Sequence, residues 1–110
     1  MDLGLAGKTV VVTGGSGGIG RGLVLEFARE GCNVVSASRD VATGERLARE
    51  AVAQDLPGTV MAVATDVTQR ASVDAMLAEA RRCFGSADAL VNNAGGQFMT
   101  PLEAISAKGW

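Results

Sequence analysis

The chain has 110 residues, of which 47% are hydrophobic and 20% charged, with a formal net charge of −2, values that fit one folded domain and exclude a disordered chain. Its arginines are scattered and form no basic patch for nucleic acid, no apolar run approaches the roughly 20 residues that span a bilayer, and Met1-Asp2-Leu3 does not begin a secretion signal. Cys32 and Cys83 are too far apart for a CxxC pair and are expected to be reduced thiols of a cytoplasmic protein, while the absence of histidine excludes His-based metal sites and Ser-His or Cys-His catalysis.

Lys8 to Thr13 (KTVVVT) is β-branched and ends in glycine, the pattern of a buried strand. From Gly18 to Glu30 the apolar residues Ile19, Leu23, Val24 and Phe27 recur at helical spacing, and Gly31 stops the helix. Asn33 to Ser38 predicts a second strand. Val41 to Gln54, with Leu47 and Ala51 one turn apart, predicts a second helix, followed by a turn at Pro57-Gly58. Thr59 to Thr65 is a third strand. Arg70 to Phe84 places Val73, Met76, Leu77, Ala80 and Phe84 on one helical face, and Gly85 ends it. Ala87 to Asn92 holds a fourth strand. Pro101 to Trp110 reads as the start of a further helix, with Ser106 as its N-cap.

Strands alternating with helices of this length build a parallel sheet with right-handed crossovers. Consecutively apolar strands fit a sheet covered on both faces. The expected fold is therefore α/β, a doubly wound parallel (Rossmann) sheet truncated after the fourth strand, with residues 1–110 forming one dinucleotide-binding domain incomplete at its C-terminus.

Six of the fifteen glycines lie between Gly14 and Gly22. The run Thr13-Gly14-Gly15-Ser16-Gly17-Gly18-Ile19-Gly20 joins the first strand to the first helix, where open α/β sheets bind ligands. A helix start offers free N–H groups and partial positive charge to an anion. Gly14 is assigned the sharp turn out of the strand, Gly18 the close approach of a pyrophosphate, and Gly20 the packing of helix on sheet. The run also satisfies GxGxxG through Gly15, Gly17 and Gly20, and Arg21-Gly22 excludes a P-loop, which needs Lys and Ser or Thr there. After the second strand stands Ser38-Arg39-Asp40. If the strand ends at Ser38, a small neutral residue followed by Arg39 favours the 2′-phosphate of NADP; if it runs two residues further, Asp40 binds ribose hydroxyls and favours NAD. Asp40 is equally placed to cap the next helix.

These residues resemble the short-chain dehydrogenase/reductase family over the whole chain. Thr13-Gly14-x-x-x-Gly18-Ile19-Gly20 is similar to its cofactor motif, with Ser16 and Gly17 inside it. Asp66-Val67 resembles its adenine-contacting pair, and Asn92-Asn93-Ala94-Gly95 its NNAG motif. A carboxylate at Asp66 suits the adenine amino group, and the Val67 N–H a ring nitrogen; a turn acid before the next helix is the plainer role for Asp66. The Asn93 side chain is suited to holding neighbouring strands together, while Ala94 and Gly95 leave room for cofactor. The resemblance implies an NAD(P)-dependent oxidoreductase with NADP(H) favoured. One departure weighs against NADP: Gly17 stands where NADP-preferring members often carry a basic residue, which leaves that role to Arg39, with help from Arg21 if its side chain turns back.

Within the family, Gly95-Gly96-Gln97-Phe98 and Ser106-Ala107-Lys108-Gly109-Trp110 look similar to trans-2-enoyl-CoA reductases and citronellol-type dehydrogenases. The small-molecule substrates so implied are an acyl-CoA or a terpenoid or aliphatic alcohol, handled by a homo-oligomer without nucleic acid or membrane. The Gln97-Phe98 segment reads as a loop, shaping the acyl pocket or simply packing Phe98 on the sheet. The family's Ser, Tyr-x-x-x-Lys and Asn set lies downstream of the NNAG segment, and this sequence has no tyrosine and only Lys8 and Lys108. No catalytic residue is assigned here. A non-catalytic dinucleotide-binding module is the competing reading. An S-adenosylmethionine-dependent methyltransferase is a third, opposed by the NNAG segment and the neutral Ser38. Without further strands the fourth strand is expected to be an open, apolar edge prone to association.

Overall fold

The computed structural model describes residues 4–14 and 18–93, and the backbone of 98–101. Its elements in chain order are β1 (Thr9–Thr13), α1 (Gly18–Arg29), β2 (Asn33–Ser38), α2 (Val41–Ala53), β3 (Thr59–Ala64), α3 (Arg70–Phe84), β4 (Ala89–Asn92) and β5 (Phe98–Pro101). The strands form one sheet in the order β3-β2-β1-β4-β5. The pairs β1–β2, β1–β4 and β2–β3 are parallel, and β4–β5 is antiparallel.

The central strand shows why an unbroken apolar run is needed. Every residue of β1 is buried, because alternate side chains enter two different cores. Val10 and Val12 join Val24, Leu25 and Ala28 of α1 and Leu47 and Ala51 of α2 on one face. Val11 joins Val35, Leu90 and the Val73, Met76 and Ala80 stripe of α3 on the other. The helix-spaced residues of α2 and α3 are thus those that reach the sheet. Ile19 departs from the expected pattern: it is 67% exposed. Its position in the first turn of α1 lies before the helix comes down on the sheet at Gly20 and Val24, both buried.

The expectation of a sheet that stops at β4 is overturned. β5 pairs with that edge, in the register Leu90↔Thr100 and Val91↔Met99, so the predicted open edge of β4 is covered. Phe98 belongs to a strand, not a loop, and Pro101 closes that strand instead of opening a helix. An outermost strand tolerates proline because its lost N–H leaves no central ladder bond unmade. Ser106 and the expected C-terminal helix lie outside the described residues.

At the opposite end of the sheet, Asp88 ties β4 to β1. Its Oδ2 accepts hydrogen bonds from the Thr9 N–H at 2.8 Å and the Ser86 hydroxyl at 2.9 Å. The Thr9 N–H, then the Ser86 hydroxyl, hold the carboxyl below its ordinary range. A carboxylate depressed in the folded state stabilises the fold above its unfolded pKa and loses that contribution as pH falls through the folded value. Replacing Asp88 with alanine is expected to cost about 1 kcal/mol at pH 7. The difference from wild type should shrink below about pH 4, which denaturant titrations at pH 7 and pH 3 will measure.

Both cysteines are free thiols; Cys32 is buried and Cys83 exposed. Among the described residues no helix is long and apolar enough to cross a membrane.

Candidate functional site

Parallel pairing brings the ends of four strands to one edge of the sheet. Thr13 lies beside Ala37 of β2 and Asn92 of β4, and Ser38 beside Ala64 of β3. The residues just after these positions are Gly14, Arg39, Thr65 to Val67, and Asn93. A crevice of about 340 Å³ opens there, lined by Gly14, Ala37, Ser38, Arg39, Asp40, Thr65 and Val67.

Gly14 has φ +66°, a left-handed conformation that costs a side-chain-bearing residue roughly 1–2 kcal/mol. Its N–H donates to the Ala37 carbonyl at 3.0 Å, which continues the β1–β2 ladder into the turn. Thr13 is a hub that sequence reasoning did not single out as a site residue. Its Oγ1 lies 3.4 Å from the Val91 carbonyl and 3.2 Å from Asn92 Oδ1, and accepts from the Asn93 N–H at 3.3 Å. The Asn93 Nδ2 donates to the Gly14 carbonyl at 3.3 Å. The end of β4 is therefore fastened to the turn after β1. Alanine at position 93 removes this fastening without touching charge, so it is expected to weaken NADPH and NADH binding by the same factor, about fivefold for one hydrogen bond. Titration of both cofactors will test this, and a selective loss of one would contradict it.

The α1 N-terminus has no acidic residue in its first turn, so nothing there opposes an anion. Among the described residues, a Cβ at Gly18 would meet no neighbouring atom within 4 Å. Gly20 is buried. Ser16, Gly17, Ala94 and Gly95, all expected cofactor residues, lie outside the described residues.

The β2 end resolves into distinct roles. The strand stops at Ser38, whose hydroxyl donates to the Asp40 carbonyl at 3.2 Å. Asp40 caps α2, accepting from the Thr43 N–H at 3.2 Å and also from the Thr43 hydroxyl. The Thr43 hydroxyl, followed by its N–H, lowers the Asp40 pKa. Arg39 lies between them in the chain, and its Nη2 donates to Asp66 Oδ1 at 3.1 Å across the β2–β3 crevice. Arg21 does not turn back: its guanidinium pairs with Glu50 of α2.

Asp66 begins a turn before α3. The Thr68 N–H and hydroxyl donate to its Oδ1 at 3.0 and 2.6 Å, and its own N–H donates to Ser72 Oγ at 2.9 Å. The Thr68 hydroxyl, the Thr68 N–H and then Arg39 hold this carboxyl below its usual range, so it is ionised at neutral pH. The helix cap is Gln69. Asp66 is thus a turn acid whose carboxylate stays at the crevice rim. The Asp-x-Thr spacing, typical of a side-chain turn, was the signal for Thr68.

Fold and crevice together define a doubly wound α/β protein of Rossmann type, with its candidate site at the carboxyl ends of the strands. A family model described as short chain dehydrogenase matches residues 8–110. The chain is 46% identical over 90 residues to L-fucose dehydrogenase of Bos taurus, covering 82% of this chain and 31% of that protein. It is 40% identical over 106 residues to 3beta-hydroxysteroid dehydrogenase 1 of Eggerthella lenta, covering 96% and 40%. Among solved structures, L-sorbose reductase from Gluconobacter frateurii, complexed with NADPH and L-sorbose, aligns with TM-score 0.77 and 37% identity over 100% of this chain and 41% of its own. A 3-ketoacyl-(acyl-carrier-protein) reductase from Brucella melitensis, complexed with NADH, aligns with TM-score 0.73 and 38% identity over 96% and 42%. The chain belongs to the short-chain dehydrogenase family, and it spans about two fifths or less of the length of these relatives.

Proposed function

We propose that residues 1–110 form a dinucleotide-binding domain of a cytoplasmic NADP(H)-dependent oxidoreductase. The cofactor, when bound, supplies or accepts a hydride, and the substrate is a carbonyl compound or alcohol, or an enoyl thioester. The observation that carries this reading is one crevice lined by Gly14 and Arg39, with Asp66 bonded to Arg39 and Asn93 to Gly14, within a chain of this family.

The residues present fit a dinucleotide. Gly14 and the start of α1, with Gly18 and Ile19, would receive the pyrophosphate, and neither Gly14 nor Gly18 carries a side chain. Asp66 and Val67 would hold the adenine. Asn93 would keep the end of β4 against the turn. NADP(H) is favoured over NAD(H) because β2 ends at Ser38 and the Asp40 carboxylate, which also lines the crevice, caps α2 through Thr43, while Arg39 is the basic group of the described lining. The matched relatives act on substrates as different as a sugar and a steroid by their names, so the acyl-CoA, terpenoid or aliphatic-alcohol assignment and the homo-oligomeric state rest on the motif resemblance. Calorimetric titration of the protein with NADPH and NADH tests the reading. Saturable binding with NADPH the tighter ligand is expected; binding of neither would overturn it.

A further inference from the structure

We propose that Asp66 determines cofactor discrimination through Arg39: its carboxylate offsets the guanidinium charge and so weakens the preference for a 2′-phosphorylated nucleotide. The proposal rests on the dinucleotide reading above and assigns Asp66 a role separate from contact with the base.

The geometry is specific. Arg39 is 73% exposed in its side chain, and Asp66 34%. Among the described residues Asp66 is the hydrogen-bond partner of Arg39, through a single Nη2 contact of 3.1 Å. A guanidinium has five donors, so this contact leaves others for a phosphate. The carboxylate is not free to swing away, since both Thr68 donors grip the same Oδ1 that meets Arg39. A negative charge is therefore pinned beside the arginine in the absence of nucleotide.

Two consequences follow for binding. With NAD(H), Arg39 stays paired with Asp66 and no unmatched cation is left at the ribose. With NADP(H), the 2′-phosphate meets a cation that is already partly neutralised. Both effects bring the two affinities together. Asp66→Asn removes the charge but keeps a carbonyl oxygen to accept from Thr68 and from an adenine amino group. It should free Arg39 and raise the ratio of NADPH to NADH affinity. Exposed ion pairs of this kind correspond to about 1.5- to 5-fold, and the rise should shrink at high salt.

The test is a double-mutant cycle on the intact protein: wild type, Asp66→Asn, Arg39→Ala and the double variant, each titrated with NADPH and NADH at low ionic strength. Asp66→Ser replaces Asp66→Asn if the latter unfolds. The expected result is a ratio about 1.5- to 5-fold higher in Asp66→Asn, with most of that rise gone in the Arg39→Ala background. An unchanged or lower ratio overturns the proposal, including the case in which both cofactors weaken equally because Asp66 serves only the adenine. A rise of the same size without Arg39 also overturns it, since the carboxylate would then act on the phosphate directly. If wild type binds neither cofactor, the dinucleotide reading falls as well; if it binds but the ratio does not move, only this inference falls.

Discussion

Replacing Arg39 with alanine will weaken NADPH binding about 5- to 150-fold, roughly 1–3 kcal/mol, and leave NADH binding nearly unchanged. The size follows from the loss of charge-assisted hydrogen bonds to a phosphate. The selectivity follows from position. Arg39 is the residue immediately after β2, and a 2′-phosphate is the part of NADPH that NADH lacks. The neighbouring charges do not replace it: Arg21 is engaged with Glu50 on the outer side of α1 and α2, and Gly17 carries no side chain. Paired titrations of wild type and Arg39→Ala are the measurement. Equal weakening of both cofactors would show that Arg39 does not read the phosphate.

The largest expected stability loss is at Gly58. Alanine there will destabilise the fold by about 3 kcal/mol, read as a lower denaturant midpoint with little change in slope. A Cβ at this position would lie 2.2 Å from the Cys32 carbonyl oxygen, 2.7 Å from the Ala28 carbonyl oxygen and 2.9 Å from the Ala28 Cα. These are backbone atoms and have no rotamer by which to give way. They are also in use: the Gly58 N–H donates to the Ala28 carbonyl at 2.8 Å, and the Thr59 N–H to the Cys32 carbonyl at 3.2 Å. The turn that launches β3 is thus latched onto the end of α1 and the start of β2. Relieving the clash means moving β3, and with it the turn that carries Asp66. Gly58→Ala is therefore expected to weaken both cofactors alongside its loss of stability. Native stability with Gly58→Ala would contradict the close approach.

Sequence patterning was most legible where one physical cause dominated. The strand Asn33–Ser38 and the helix Arg70–Phe84 were readable to the residue, the first from its run of small and β-branched residues, the second from an apolar stripe ended by Gly85. β5 was not legible. Four residues ending in proline carry too little periodicity to distinguish a strand from a loop, and its pairing is made by the backbone of β4, which lies elsewhere in the sequence. Ile19 was misjudged for a related reason. Helical spacing says which residues share a face, but only the docking of α1 says where along its length that face meets the sheet.

The candidate site divides in the same way. Gly14, Asp66 and Asn93 were each recognisable because a turn, a carboxylate and an amide at strand ends have chemistry that can be named from residue type. That Asp40 would cap α2 while Arg39 reaches across to Asp66 was not decidable from Ser38-Arg39-Asp40 alone. It depends on where β2 stops and on Asp40 finding the Thr43 N–H. The pairing of Arg39 with Asp66, 27 residues apart, was likewise invisible, because parallel strand register sets it.

The glycine turn, the alternation of strands and helices and the three strand-end motifs were determined by the sequence itself, because each is a local property of neighbouring residues. The covering of β4 by β5, the exposure of Ile19, the diversion of Arg21 to Glu50 and the joining of Arg39 to Asp66 were decided by the tertiary structure. Each of these needs two segments brought together, and the burial of the shared core that brings them together is not written in either segment alone.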